Sequence, residues 1–184
     1  MELEEFKSNF NSYELASEFI KLKYFQDDYS GYSQGFFLLA DDKIGVKTWS
    51  ENKDFLDRLM PFAQANGTGS TYGIWNDGTN RKLNELPVIV FGDEGGVHIV
   101  AENILQLMQL LTFDIEIVVD FDKAFFCKDE DDYEESEDGL VYKNWLKENF
   151  NLDPTSEPNE IIANAQRKYK VKFDTWFGQY YKGE

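Results

Sequence analysis

Phe62-Ala-Gln-Ala-Asn-Gly-Thr-Gly-Ser-Thr-Tyr-Gly-Ile-Trp75 and, after a polar loop, Leu86-Pro-Val-Ile-Val-Phe-Gly-Asp-Glu-Gly-Gly-Val-His-Ile-Val-Ala101 decide the fold. Asn66-Gly67-Thr68-Gly69 is a turn whose glycines tolerate positive φ, so the first stretch reads as a β-hairpin. In its second arm Tyr72 and Ile74 fall on one face and Thr71, Gly73 and Trp75 on the other, the period of two that a strand imposes. Leu86–Phe91 is a continuous apolar run, which predicts a strand covered on both faces and makes it the expected centre of the sheet. Gly92-Asp93-Glu94-Gly95-Gly96 turns the chain, and Val97, Ile99 and Ala101 alternate along a partner strand. Asn103 and Gln106 then have the spacing of a capping box, and Ile104, Leu107, Met108 and Leu111 follow as an apolar stripe to lay on the sheet.

Working outward, Leu3, Phe6 and Phe10 have helical spacing, and Asn11-Ser-Tyr-Glu14 is placed to cap a helix that carries Leu15, Phe19 and Leu22 inward. Gly35–Ala40 predicts the first strand, with Asp41-Asp42 at its turn and Ile44 and Val46 continuing a hairpin. A short helix is expected from about Asn52 to Leu59. Beyond the central segment, Ile115, Ile117, Val119 and Phe121 alternate as a further strand on a sheet edge. Asp129–Asp138 places eight carboxylates in ten positions, a self-repelling run that reads as a solvated loop. Leu140–Phe150 reads as a helix, and a last one follows Ser156 with Pro158 in its first turn. Its Ile162, Ala165, Tyr169, Phe173 and Trp176 form a seam of helical period that must dock on something apolar. Neither a repeat nor a low-complexity linker other than the acidic run divides the chain, so one α+β domain over residues 1–184 is expected.

With 184 residues the chain can bury roughly 70% of its unfolded surface, and its 42% apolar and 16% aromatic content supports a real core. The 18 basic residues stand against 35 acidic ones, a net charge of −17. That balance disfavours direct nucleic-acid binding and makes a basic protein the natural complement. The same charge also serves solubility, and composition does not separate the two roles. The single Cys127 forms no internal disulfide, Met1–Glu5 lacks the features of a signal peptide, and no apolar run approaches the length of a bilayer span. A cytoplasmic protein without a membrane role is expected.

Catalytic chemistry finds little purchase. His98 is the only histidine, and it lies mid-strand with no Gly-x-Ser-x-Gly elbow for it to serve. One His and one Cys make no zinc set. Gly67–Ser70 leads into a strand rather than the helix start that a phosphate cradle requires. The Asp129–Asp138 run lacks the central glycine and spaced ligands of an EF-hand. No catalytic residue, metal ligand or cofactor is therefore assigned. Trp49 and Trp75, near strand ends with polar neighbours, are candidates for exposed anchors, whereas Phe173 and Trp176 belong to the core.

Pro61–Gly67 with Gly69–Trp75, then Leu86–Gly92, Gly95-Gly96 and the helix at Asn103–Leu111, resemble the SUKH superfamily, named for yeast killer-toxin-resistance and glucan-synthesis regulators. The order of a Phe-Ala strand, a Gly-bearing turn, an aromatic strand, a Pro-Val strand and a Leu-rich helix carries the resemblance, over residues 36–111. The helices from about 140 to 181 fit as an extension. The resemblance implies a strongly bent, mainly antiparallel sheet packed by helices, and a non-enzymatic protein that binds other proteins. In bacteria the family is dominated by immunity proteins that neutralise toxins, often nucleases, and its yeast branch implies the alternative of a regulatory scaffold. An immunity protein that occludes a basic toxin domain with an acidic face is the expectation. The candidate partner-binding residues are Trp75, Asp93, Glu94, Asp129, Glu130, Asp131, Asp132, Glu134 and Glu135. An enzyme working through acidic residues such as Asp120 is a third and weaker reading, because no paired carboxylates across a cleft are located.

Overall fold

In the computed structural model, which describes residues 1–181, the segment quoted at the outset forms the middle of a five-stranded antiparallel sheet. Strands β1 (Phe37–Leu38), β2 (Leu59–Gln64), β3 (Thr71–Trp75), β4 (Val88–Phe91) and β5 (Val97–Ala101) lie across it in chain order. The two hairpins expected within that segment are present. The central strand is β3 rather than β4, although β4 is interior and paired on both sides. Among the described residues seven helices accompany the sheet: α1 (Leu3–Lys7), α2 (Ser17–Asp28), α3 (Ile44–Lys47), α4 (Lys53–Asp57), α5 (Ile104–Leu110), α6 (Gly139–Phe150) and α7 (Pro158–Phe177). The architecture is α+β.

The continuous apolar run of β4 is explained by helices on both faces of the sheet. Val88 and Val90 join Tyr72, Ile74, Met60 and Phe62 in one core with residues of α1, α2, α5 and α6. Ile89 and Phe91 join Trp75 and Leu59 in a second core under α7 and α4. Two bulges adjust the register. Pro61 faces Gly73 while Ala63 faces Tyr72, so Phe62 is the extra residue; an irregularity in the ladder is where a residue without an N–H is tolerated. Between Val88 and Ile89 the partner positions skip from Ala101 to Ile99. Val100 is therefore unpaired, and the expected alternation of Val97, Ile99 and Ala101 breaks. Ile99 packs in the second core while Val100 and Ala101 pack in the first.

Local chemistry sets several boundaries. Asn103 accepts from the Gln106 amide at 3.0 Å, and the Gln106 side chain accepts from the amide of Glu102 at 2.9 Å, one residue earlier than a standard capping box. Ile104, Leu107, Met108 and Leu111 are all buried, as their spacing requires. Asp41 and Asp42 do not turn a hairpin. Their carboxylates accept from the amides of Lys43 at 2.5 Å and Ile44 at 3.1 Å in local turns, and helix α3, without a side-chain cap, follows where strand continuation was expected. Strand β1 is consequently only two residues long. Asn11 does not cap α2, which begins later, at Ser17; its side chain instead donates to the Asp57 carbonyl at 2.9 Å.

After the sheet, β6 (Ile117–Val119) pairs with β7 (Ala124–Phe126) in a separate two-stranded ribbon, not on a sheet edge. Phe121 lies at the ribbon's turn and is 76% exposed, outside the strand assigned to it. Helix α7 has Pro158 in its first turn, where a missing N–H costs nothing, and buries Ile162, Ala165, Tyr169, Phe173 and Trp176. Gln166 donates to the Ile99 carbonyl at 3.2 Å and Lys168 pairs with Glu102, tying this helix to β5 and the residue that follows it. Among the described residues no helix is long and apolar enough to cross a membrane.

Candidate functional site: an acidic track ending in an aromatic groove

The candidate binding residues do not form one cluster. Trp75 is removed from the surface altogether, with no measurable exposure. Its indole meets Phe173 edge-on at 5.0 Å and Trp176 at 5.5 Å, under a guanidinium cap from Arg58. The polar neighbours Asn76 and Asp77 begin a loop, and α7, supplied from a distant part of the chain, covers the indole. An exposed anchor at this position is thus overturned by long-range packing.

Asp93 and Glu94 stand at the β4–β5 turn on the rim of a groove of about 820 Å³. The groove runs between α3, this turn and the end of α7, with Asp41 as its third carboxylate. Ser70 and Thr68 donate hydroxyls to Asp93 Oδ1 at 2.7 and 3.0 Å. The Ser70 bond chiefly holds Asp93 below the usual carboxylate range. Burial pushes Asp41 the other way, above it. Trp49, the other tryptophan named from sequence, forms a wall of the groove with edge-on contacts to Phe177 at 5.7 Å and Tyr181 at 4.9 Å. Phe121 was assigned no site role, because an alternating strand pattern hides a turn; its ring rests on the backbone of Gly95. A Cβ built there would stand 2.4 Å from the ring, and φ is +121°.

Asp129–Asp138 is a loop, as its charge requires, but it is anchored. Asp114, only 1% exposed, accepts from the Gln34 amide and Ser136 hydroxyl on Oδ1 at 3.1 and 2.6 Å, and from the Tyr133 hydroxyl and Ser136 amide on Oδ2 at 2.9 and 2.8 Å. The four donors are neutral; carboxylate burial is tolerated when its lone pairs are filled in this way. Lys128 lies 3.4 Å from the centre of the Tyr133 ring, and Lys143 pairs with Glu135 at 2.9 Å. The run also leads into the N-terminus of α6, whose dipole favours negative charge. Asp129, Glu130, Asp131, Asp132, Glu134 and Glu135 remain exposed, and the bonds to Asp114 hold the run at Tyr133 and Ser136.

A chain of contacts joins loop and groove. Gln34 donates to the Glu134 carbonyl at 2.8 Å, and the Glu116 side chain packs against Gly35 and Gly67. The neighbouring Thr68 reaches Asp93. Glu116 is the one carboxylate in these contacts between the two, and loop, Glu116 and groove are together termed the acidic track. His98 is buried in its strand: its Nε2 meets the Asp120 carbonyl at 2.7 Å, and burial lowers its pKa. Among the described residues no group of three His, Cys, Asp or Glu is placed to hold a metal ion. No family model matches the chain, and no match to it was found among curated proteins or solved structures.

Proposed function

We propose that this protein is a non-enzymatic binding domain of toxin-immunity type that acts in the cytoplasm and captures a basic protein, such as a nuclease toxin domain, on the acidic track. The carrying observation is that Tyr133 and Ser136 of the acidic run make three hydrogen bonds to Asp114, whose fourth donor is the Gln34 amide, so that this strongly charged loop is tied to the body of the fold. Preorganised charge lowers the ordering cost of association and steers a complementary partner. The net charge of −17 and the SUKH-like order of strands and glycines support the same reading. A basic toxin domain encoded beside this chain is the partner to test, by capture at low and high salt. The expected result is tight association that weakens about tenfold or more on raising salt and on replacing Asp129, Asp131 and Asp132 together with Asn. Capture only of envelope-synthesis proteins, with no toxin bound, would replace this reading with the regulatory scaffold.

A further inference from the structure

We infer that the groove between α3, the β4–β5 turn and the end of α7 receives an arginine- or lysine-bearing segment of the protein partner. The inference rests on the reading that the acidic track takes a basic protein, and it locates where that protein inserts. Asp41, Asp93 and Glu94 supply negative charge, and among the described residues lining the groove none is basic. Lys43, two residues from Asp41 and Gly45 of that lining, donates to the Leu56 carbonyl at 2.7 Å and Asn11 Oδ1 at 3.2 Å, and Lys47, between the lining residues Val46 and Thr48, is exposed and does not itself line the groove.

The remaining walls narrow the ligand class. Trp49, Phe121 and Tyr181 present aromatic surface beside those carboxylates. A guanidinium or ammonium satisfies both at once, by ion pairing and by lying over a ring face. An anion such as a nucleotide meets three like charges, and a purely apolar peptide strips water from carboxylates without pairing them. The volume of about 820 Å³ lies within the range of pockets that enclose whole ligands, so a short segment fits rather than one side chain. The walls are preset: Ser70 and Thr68 orient Asp93, and Phe121 is propped on Gly95 while 76% exposed, a geometry suited to an anchoring contact.

The test is a titration of the ¹⁵N-labelled full chain with the peptide acetyl-Gly-Arg-Gly-Arg-Gly-amide, alongside the same peptide with citrulline, an uncharged isostere, in place of arginine. Saturable shifts at Gly92, Gly95, Gly96 and the Trp49 indole are expected. They should weaken about tenfold with citrulline, with Glu94→Lys and with Phe121→Ala, and persist when Asp129, Asp131 and Asp132 are replaced by Asn. Shifts confined to residues 129–138 would overturn the groove while leaving the acidic binding surface intact. Equal binding of the citrulline peptide, or no saturable groove shift up to about 5 mM, would overturn it too. Failure of the toxin capture at any salt concentration is the separate result that removes the broader reading.

Discussion

The Tyr133 hydroxyl donates to Asp114 Oδ2 at 2.9 Å, joining the middle of a strongly acidic loop to a carboxylate buried just after α5. The contact ties a self-repelling run to the body of the fold. Removing the acceptor leaves two buried or half-buried hydroxyls and two amides without a partner.

Asp114→Ala is therefore expected to lower unfolding free energy by about 3 kcal/mol in urea titrations. Amide exchange at residues 133–136 should accelerate at least about tenfold; unchanged exchange there would mean that something other than Asp114 orders the loop. Burial and the Asp114 hydrogen bond both raise the Tyr133 pKa. Its contribution is present below the unfolded phenol value of about 10 and declines as pH rises beyond it. Tyr133→Phe should remove that part of the alkaline loss.

Asp77 ties the 76–84 loop to α7 through Lys172 at 3.1 Å and pairs with Arg81 of the same loop at 2.7 Å. Burial alone raises its pKa, but hydrogen bonds from Thr79 and Lys172 and the charge of Arg81 outweigh burial and hold it down to about 2. The folded value lies below the unfolded one, so the stabilisation is present above pH 4 and is lost as pH falls towards 2. Asp77→Asn should cost about 2 kcal/mol at pH 7, and the gap from the natural chain should narrow when urea midpoints are compared at pH 2.5.

Trp176 stacks on Phe55 at 5.5 Å and packs against Trp75, closing the second core. Trp176→Ala should destabilise by about 4 kcal/mol, measured by denaturant unfolding. A loss below about 1 kcal/mol would show that α7 is a dispensable extension rather than the cover of that sheet face.

Gly96 has φ +83°, and a Cβ there would stand 2.2 Å from the Asp120 carbonyl. Gly96→Ala should cost more than about 2 kcal/mol and loosen the ribbon that carries Phe121. Gly45 has open space around its Cα and sits in α3, so Gly45→Ala should be neutral or stabilise by up to about 1 kcal/mol. Thermal unfolding of the two variants should move in opposite directions or leave only the first displaced.

The hairpins, the α5 stripe, the α7 seam and the solvated character of residues 129–138 were legible because each depends on periodicity or turn chemistry within a few residues. The bulge at Val100 was not, since nothing in Val97–Ala101 marks which residue loses its partner. The site was read less well than the fold. Asp93, Glu94 and the acidic run are on the surface, but Asp114 and Phe121 were passed over: one looks like an ordinary turn carboxylate, the other like a strand residue.

Composition and local pattern by themselves determined an acidic α+β chain with two central hairpins and a helix seam that had to find an apolar surface. Tertiary structure alone decided which surface that was. By laying α7 on the second face it buried Trp75, and by placing the ribbon turn against Gly95 it exposed Phe121 beside Asp93 and Glu94. Burial and charge proximity depend on residues far apart in sequence, and periodicity within one element carries no information about which distant element arrives to cover it.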